Sequence, residues 1–356
     1  MFSGVAFWQL AEAPVTPGLT YGRWVAVRKT GTNLRAAWSN DGITWATATT
    51  PNSSSYTSVD FSPELGLYVG VAEIASTTAA IMSSTNGVTW TSRTRTTTNT
   101  TVGIKWCSSF NLFIVNTYQN ILTSTNSTTW VVAHTFSVGS TWGGEAYQPM
   151  YAYTADQGYL WACTLVKEFG QGTSNLKVVW TTNGTTFTEN NTTTDTFWSD
   201  GDGRAIAYST EQSRYMIVGQ TLPSRILISS TISSGWSFYT QSVPTGGLRF
   251  ASSTGDKLFV VPIWNSTTTA GSIYSTLGTN GSWTSSTMPN QLHQYRCIGY
   301  STELDQFFIS NNGTTVAYTS TNGITWTSRT SVTEIHAVVF GPGVRTTGYK
   351  QGAGIT

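Results

Sequence analysis

Charge is scarce in this 356-residue chain. Asp, Glu, Lys and Arg make up 10% of it, against about a quarter in ordinary soluble domains. Its 18 Lys and Arg against 17 Asp and Glu leave a net charge of +1, which argues against a nucleic-acid binder with its usual basic face. Cysteine is rare and odd in number: Cys107, Cys163 and Cys297. No metal-ligand spacing links them, so three buried thiols are expected, with one disulfide and a spare as the alternative, and neither metal nor cofactor is implied. No apolar run approaches the ~18 residues that would span a membrane. The opening "MFSGVAFWQLAEAP" lacks the basic n-region of a secretory signal, so none is expected. Ala, Glu, Lys and Leu do not dominate, which disfavours a helical protein. Thr, Ser, Asn and Gly fill the gap, with 13% aromatics including 15 Trp. This is the composition of strands and tight turns under a polar, uncharged surface.

One phrase recurs. "STNGITW" (320–326) has copies at "SNDGITW" (39–45), "STNGVTW" (84–90), "STNSTTW" (124–130), "WTTNGTTF" (180–187), "ISSGWSF" (232–238) and "GTNGSW" (278–283). Their closing aromatics are Trp45, Trp90, Trp130, Phe187, Phe238, Trp283 and Trp326, at spacings of 45, 40, 57, 51, 45 and 43 residues. Asn-Gly or Asp-Gly between β-rich runs is a strong hairpin signal, because both turn positions favour positive φ. A large aromatic at a fixed place after each turn reads as a wedge buried against the neighbouring repeat.

Ahead of the phrase stands a second pattern, clearest in "YTSVDFSPELGLYVGV" (56–71), "GRAIAYSTEQSRYMIVG" (203–219) and "YRCIGYSTELDQFFIS" (295–310). An apolar strand ends in an aromatic, a Ser-Pro/Thr-Glu turn follows, then a second strand. A third strand leads into the phrase and a fourth leaves it. Four strands per unit and seven units predict an all-β, seven-bladed β-propeller of four-stranded antiparallel blades over residues 21–343. The first unit lacks its first strand, and "EIHAVVFGPG" (334–343) has that form without a following unit. Both chain ends are therefore expected to complete the first blade, which removes an open edge. An N-terminal extension (1–20) and a C-terminal tail (344–356) lie outside the wheel.

The phrase resembles a shortened Asp-box, the bacterial-neuraminidase repeat Ser-x-Asp-x-Gly-x-Thr-Trp. Only Asp41 keeps the acid; Asn86, Asn126, Asn183, Asn280 and Asn322 replace it, with Ser234 in the fifth copy. Over about 320 residues the resemblance implies fold rather than activity, since sialidases, lectins, assembly factors and viral proteins share the motif. "SPELGLYVGV…STNGVTW" is most similar to propellers of tailed-phage structural proteins. That resemblance implies a non-enzymatic protein on the virion surface, a tail adhesin or a capsid or tail decoration. It would be assembled in the host cytoplasm, with other virion proteins and a host glycan as partners, and with neither nucleic acid nor membrane insertion. A sialidase-like glycoside hydrolase and a free-standing lectin or assembly-factor propeller are the alternatives.

First strands of propeller blades line the axis, so the residues that begin them define one mouth of the channel. Arg204, Arg249, Arg296 and His336 occupy that place in four consecutive units, with Thr57, Val102 and Pro149 in the others. Arginines grouped about an axis would grip a carboxylate, phosphate or sulfate, unless local acids such as Asp200, Asp202 or Glu334 hold them. A sialidase-like reading would add Tyr56 or Tyr295 as nucleophile and Glu145, Asp200 or Asp202 as acids, but its Arg-Ile-Pro signature does not occur. The longest insertions fall in the fourth unit, where Trp142 and Tyr147 would stack on a sugar or pack over the channel. "SRTRTTTNTT" (92–101), with Arg93 and Arg95, reads as an exposed edge blunted by charge, or as a dock for an acidic partner.

Overall fold

A computed structural model describes residues 22–28, 34–117, 119–136, 151–152, 161–165, 177–191, 203–209, 212–219, 224–241, 247–248, 252–253, 258–264, 270–279, 281–289, 295–311, 314–332 and 334–342. The extensions 1–20 and 344–356 fall outside them. The fold is a β-propeller. Among the described residues, six sheets have four antiparallel strands in meander order and one has five. In chain order, the second sheet runs from Tyr56 to Arg93, the third from Thr101 to Thr135, the fourth from Tyr151 to Asn191 and the fifth from Gly203 to Gln241. The sixth is the five-stranded sheet, Gly247 to Thr287, and the seventh runs from Tyr295 to Thr330. In the first sheet, Arg23–Arg28, Ala36–Ser39 and Ala46–Ala48 are joined by Ile335–Gly341, which pairs antiparallel with Arg23–Arg28 from Arg23↔Gly341 to Arg28↔Ile335.

Seven alike four-stranded blades were expected, and six are present. In the sixth sheet the innermost strand is split into Gly247–Leu248 and Ser252–Ser253, both paired with Phe259–Trp264. Leu248 faces Ile263 and Ser252 faces Val260. Pro262 stands at the break, and a proline has no N–H to donate to the ladder.

Apolar strand residues bury themselves between sheets rather than within one. Among the described residues, seven hydrophobic clusters each join two successive sheets. Trp90 packs with Val25 and Val27, Trp130 with Val69 and Val71, and Phe187 with Cys107 and Ile114. Val178 packs with Tyr215, Trp283 with Met216 and Val218, and Trp326 with Leu258 and Val260. The seventh and first sheets meet where Trp24 and Trp45 contact Phe308, with centroids 5.8 and 4.9 Å apart. Cys107 and Cys297 are buried, Cys297 Sγ lying 3.0 Å from Ser310 Oγ; the Cys163 side chain lies outside the described residues.

The repeated phrase forms one loop, built alike in five copies. The Asp41, Asn86, Asn126, Asn183 and Asn322 Oδ1 atoms each accept the backbone N–H groups two and three residues on, at 2.7–2.9 Å. The Ser or Thr two residues earlier donates its hydroxyl to the same Oδ1. In four copies that hydroxyl also accepts the glycine N–H, at 2.8–3.0 Å. The glycines are left-handed (φ 67–71°), and Ser127 holds the same conformation (φ 62°) in the third copy. Trp45, Trp90 and Trp130 donate Nε1 to the carbonyl of that left-handed residue at 3.0–3.2 Å.

Two copies depart from the sequence alignment. In the fifth, Ser229 and Thr231 stand where Ser39 and Asp41 do, but the loop is one residue longer. The ring that returns to it is Trp236, whose Nε1 donates to the Ile232 carbonyl at 3.3 Å. Trp236 thus packs against Tyr215; the Phe238 side chain lies outside the described residues. In the sixth copy, Ser275 Oγ accepts the N–H groups of Leu277 and Gly278. Leu277-Gly278 is therefore the turn; Asn280 lies outside the described residues.

Candidate functional site

A four-strand meander puts its first-to-second turn and its third-to-fourth loop at one end, and the start of its first strand at the other. The wheel thus has a turn face, carrying the repeated loops, and a mouth face, where the innermost strands begin. At the mouth the backbone repeats a feature that the sequence does not announce. The ladder between first and second strands skips one residue between Tyr56 and Ser58, between Thr101 and Gly103, between Gly203 and Ala205, and between Tyr295 and Cys297. It skips again between Ile335 and Ala337. The extra residues are Thr57, Val102, Arg204, Arg296 and His336, each the odd residue of a β-bulge. A bulge re-aims the residue it carries and recurs at barrel rims and functional sites.

The register brings Arg204, Arg296 and His336 to equivalent positions, with Thr57 and Val102 completing the set. His336 and Thr57 are 3% exposed. The side chains of Arg204 and Arg296 lie outside the described residues, as do Arg249, Pro149, Trp142 and Tyr147. Beside His336, Arg28 pairs with Ile335 across the ladder and is buried, its Nη1 donating to the Leu34 carbonyl at 2.9 Å. Burial lowers its pKa, nearby Glu334 raises it and Arg35 lowers it. Arg28 and Arg35 are cationic neighbours of the mouth that the alignment of first strands could not single out, because they sit on and after the second strand.

Tyr56 does not have the setting of an activated nucleophile. It is fully buried, its hydroxyl donates to Asn52 Oδ1 at 3.1 Å, and burial pushes its pKa up to about 12. Arg95 is not an exposed edge charge either. It is 5% exposed, with Nε on the Ser76 carbonyl at 2.8 Å and Nη2 on the Ile74 carbonyl at 3.1 Å. Burial lowers its pKa to about 10, so it remains charged at neutral pH while its donors serve the scaffold. Arg93 is half-buried and donates to Ser83 Oγ.

Between the second and third sheets the innermost strands are tied by a polar lock. Buried Asp60 accepts the Trp106 N–H at 2.6 Å and pairs with Lys105 at 3.2 Å. Ser58 Oγ accepts the Ile104 N–H, and Glu64 accepts Trp106 Nε1 at 2.6 Å. These partners are more than 40 residues apart in sequence. At the Asp60 place the fifth, seventh and first sheets carry Ala207, Gly299 and Val339, so no repeat signal marks the lock.

No protein-family model matches the chain, and no curated protein does so. Solved structures do. A presumptive 6-phosphogluconolactonase from Bacteroides uniformis aligns over 90% of this chain and 99% of its own, with 12% identity and a TM-score of 0.63. A protein from Lactobacillus plantarum aligns over 90% and 99%, with 11% identity and a TM-score of 0.61. Virginiamycin B lyase from Staphylococcus aureus aligns over 77% and 84%, with 9% identity and a TM-score of 0.56. At such identities the likeness is one of fold: this chain is built like the propellers of these proteins.

Proposed function

We propose that the chain is a non-enzymatic binding propeller on the surface of a tailed-phage virion, an adhesin or decoration that takes an anionic group or an acidic glycan at its mouth. The observation that carries this reading is the contrast between the two faces. One loop design recurs on the turn face, whereas the five bulges present Thr57, Val102, Arg204, Arg296 and His336 from one backbone position. A constant frame with a varied rim is how loop-bearing scaffolds carry recognition. Arg204 and Arg296 would supply the charge, with Arg249 and His336 beside them, and Trp142 and Tyr147 an aromatic surface for a sugar. In this reading the five-stranded sheet counts as the seventh blade, and the pairing of Ile335–Gly341 with Arg23–Arg28 supports a wheel closed by both ends of the chain. The resemblance of "SPELGLYVGV…STNGVTW" to tailed-phage propellers and the low surface charge support a particle component, assembled in the host cytoplasm beside other virion proteins.

Two measurements test the reading. Mass spectrometry of purified particles of the phage that encodes the chain should find it there; its absence would sink the virion assignment. Isothermal titration with sialylated and sulfated oligosaccharides should give binding that Arg296→Ala weakens about tenfold or more, the usual consequence of removing a charged anchor. Equal binding by the variant would remove the mouth as the site. Turnover of a fluorogenic sialoside would replace the whole reading with a hydrolase.

A further inference from the structure

The chain holds five Asn-Gly pairs, at Asn86, Asn183, Asn280, Asn312 and Asn322. Asn-Gly is the peptide link most open to deamidation, because glycine has no side chain to hinder attack by its own nitrogen. The glycine N–H gives its proton to water or hydroxide, and the nitrogen bonds to the asparagine Cγ. The side-chain amide leaves as ammonia, and a succinimide ring remains. Water then opens the ring at one carbonyl or the other, giving Asp or isoAsp. Asn280 and Asn312 lie outside the described residues. The other three pairs stand in the repeated loop, where both reacting groups are engaged. The nucleophile is bonded: the Gly87, Gly184 and Gly323 N–H groups donate to the Ser84, Thr181 and Ser320 hydroxyls at 2.8, 3.0 and 2.8 Å, and all three glycines are buried. The electrophile is bonded too. Each Asn Oδ1 accepts two backbone N–H groups at 2.7–2.9 Å and the same hydroxyl at 3.0–3.2 Å.

Closing the ring turns Cγ onto the glycine nitrogen, which breaks all of these bonds. It also moves the glycine, which has little room. A Cβ would stand 2.4 Å from Val25 at Gly87, 2.7 Å from Leu112 at Gly184, and 2.7 Å from Leu258 and Val260 at Gly323. One effect runs the other way. Donors on Oδ1 stabilise the negative charge that develops there on attack, as in an oxyanion hole. They do so only for a nucleophile in place, and here the nucleophile is bonded elsewhere. We infer that the loop is a chemical guard as well as a turn, and that it keeps Asn86, Asn183 and Asn322 from deamidating in the folded chain. The Asp41 loop shows which product the guard excludes. It accommodates Asp with the same bonds, so the harmful product is isoAsp, which carries the backbone through Cβ and Cγ and displaces the donors of the loop. The inference concerns the turn face and is independent of the mouth and of the virion reading.

The test follows Asp and isoAsp at each site by peptide mapping, in mildly alkaline buffer, for the full chain folded and in urea. At Asn86, Asn183 and Asn322 the folded chain should deamidate about 100-fold more slowly than the unfolded one, the effect of several hydrogen bonds of ordinary strength. Ser84→Ala removes the bonds to the Gly87 N–H and to Asn86 Oδ1. It should speed deamidation at Asn86 about tenfold or more. Asn183 and Asn322 should keep their wild-type rates and serve as references within the same molecule. Acceleration at all three sites would mean that the variant unfolds. Thr181→Val then takes its place, with Asn183 as the site and Asn86 and Asn322 as references; acceleration at all three again would overturn a local guard. Equal rates in folded and unfolded wild type would overturn the inference, as would an unchanged rate at Asn86 in folded Ser84→Ala. A slower rate there would mean that the donors on Oδ1 promote attack, and would replace the guard with a loop that catalyses its own modification.

Discussion

The turn face and the mouth face are each marked by a feature repeated five times, and the two repeats are held by different means. On the turn face a side chain makes the geometry. The Asx carboxyl or amide oxygen gathers two N–H groups, the Ser or Thr hydroxyl adds its own bond, and a left-handed residue lets the loop sit against the preceding sheet. Remove any of these and backbone donors are left unsatisfied, so the residue types recur. At the mouth the backbone makes the geometry. One residue too many in the first strand forms the bulge whatever its side chain, so Thr, Val, Arg and His occupy the same place. Constancy of sequence marks the part that cannot change, and variation within constant geometry marks the part available for function.

The comparison can be broken most severely at the first sheet, where the strand Ile335–Gly341 carries His336 at the mouth and pairs along the whole of Arg23–Arg28. Deleting 334–356 removes that strand and exposes fully buried Trp24, Val25 and Ala26. The expected outcome is loss of the cooperative melting transition in calorimetry, not a shifted one. A truncated protein that melts as before would show that the chain ends do not close the wheel.

Next in size is the wedge. Trp326 is 4% exposed among Leu258, Val260 and Phe307. Trp326→Ala should cost about 3–5 kcal/mol in urea unfolding, the usual loss for a buried aromatic. Trp236→Ala, at the half-buried ring of the longer fifth loop, should cost less. A loss below about 1 kcal/mol at Trp326 would move the rings from scaffold to candidate ligand contacts.

How much of this was legible in the sequence depends on the distance over which each feature is made. The Ser-x-Asx-Gly loop is local, so its chemistry could be read from seven consecutive residues, and with it the repeat and the fold. Where a copy carries an insertion, the alignment passes over residues that join the loop: Trp236 donates Nε1 into the fifth loop, and Leu277 and Gly278 bond to Ser275 in the sixth. The mouth was half legible. Aligning first strands brought Arg204, Arg296 and His336 to one position, but the bulge depends on pairing with the second strand and has no residue signature. The Asp60 lock and the burial of Arg95 were not legible. Their partners come from other strands, and a charged residue after a Thr-rich strand has the same sequence appearance whether its donors meet water or carbonyls.

A finer test separates the two demands placed on the loop glycine. At Gly323 a Cβ would stand 2.7 Å from Leu258 and Val260, and φ is +67°. At Gly281, in the sixth copy, φ is +75° but nothing lies within 4 Å. Gly281→Ala should therefore cost only the left-handed penalty, about 1–2 kcal/mol, whereas Gly323→Ala adds overpacking of about 1–3 kcal/mol. Equal losses would mean that the seam against the preceding sheet yields freely, and that the loop is a turn and not also a joint.

The smallest effect is expected where the acid itself is changed. Asp41 Oδ1 and Asn86 Oδ1 accept the same pair of N–H groups and the same serine hydroxyl, so Asp41→Asn should leave the melting temperature at pH 7 within about 2 °C of wild type. The two proteins should part in acid. Partial burial raises the Asp41 pKa, but the hydrogen bonds from Thr44, Ile43 and Ser39 together outweigh it and hold the carboxyl below its ordinary value of 3.8. A carboxyl depressed in the folded state contributes stability above its unfolded pKa and loses it as pH falls through the folded one. Wild type should thus lose a small increment below about pH 4 that Asp41→Asn lacks, seen as a change in their melting difference. A drop of several degrees at neutral pH on Asp41→Asn would show that the carboxylate does more than close the turn, and would place the first loop with the varied mouth instead of with its four neutral copies.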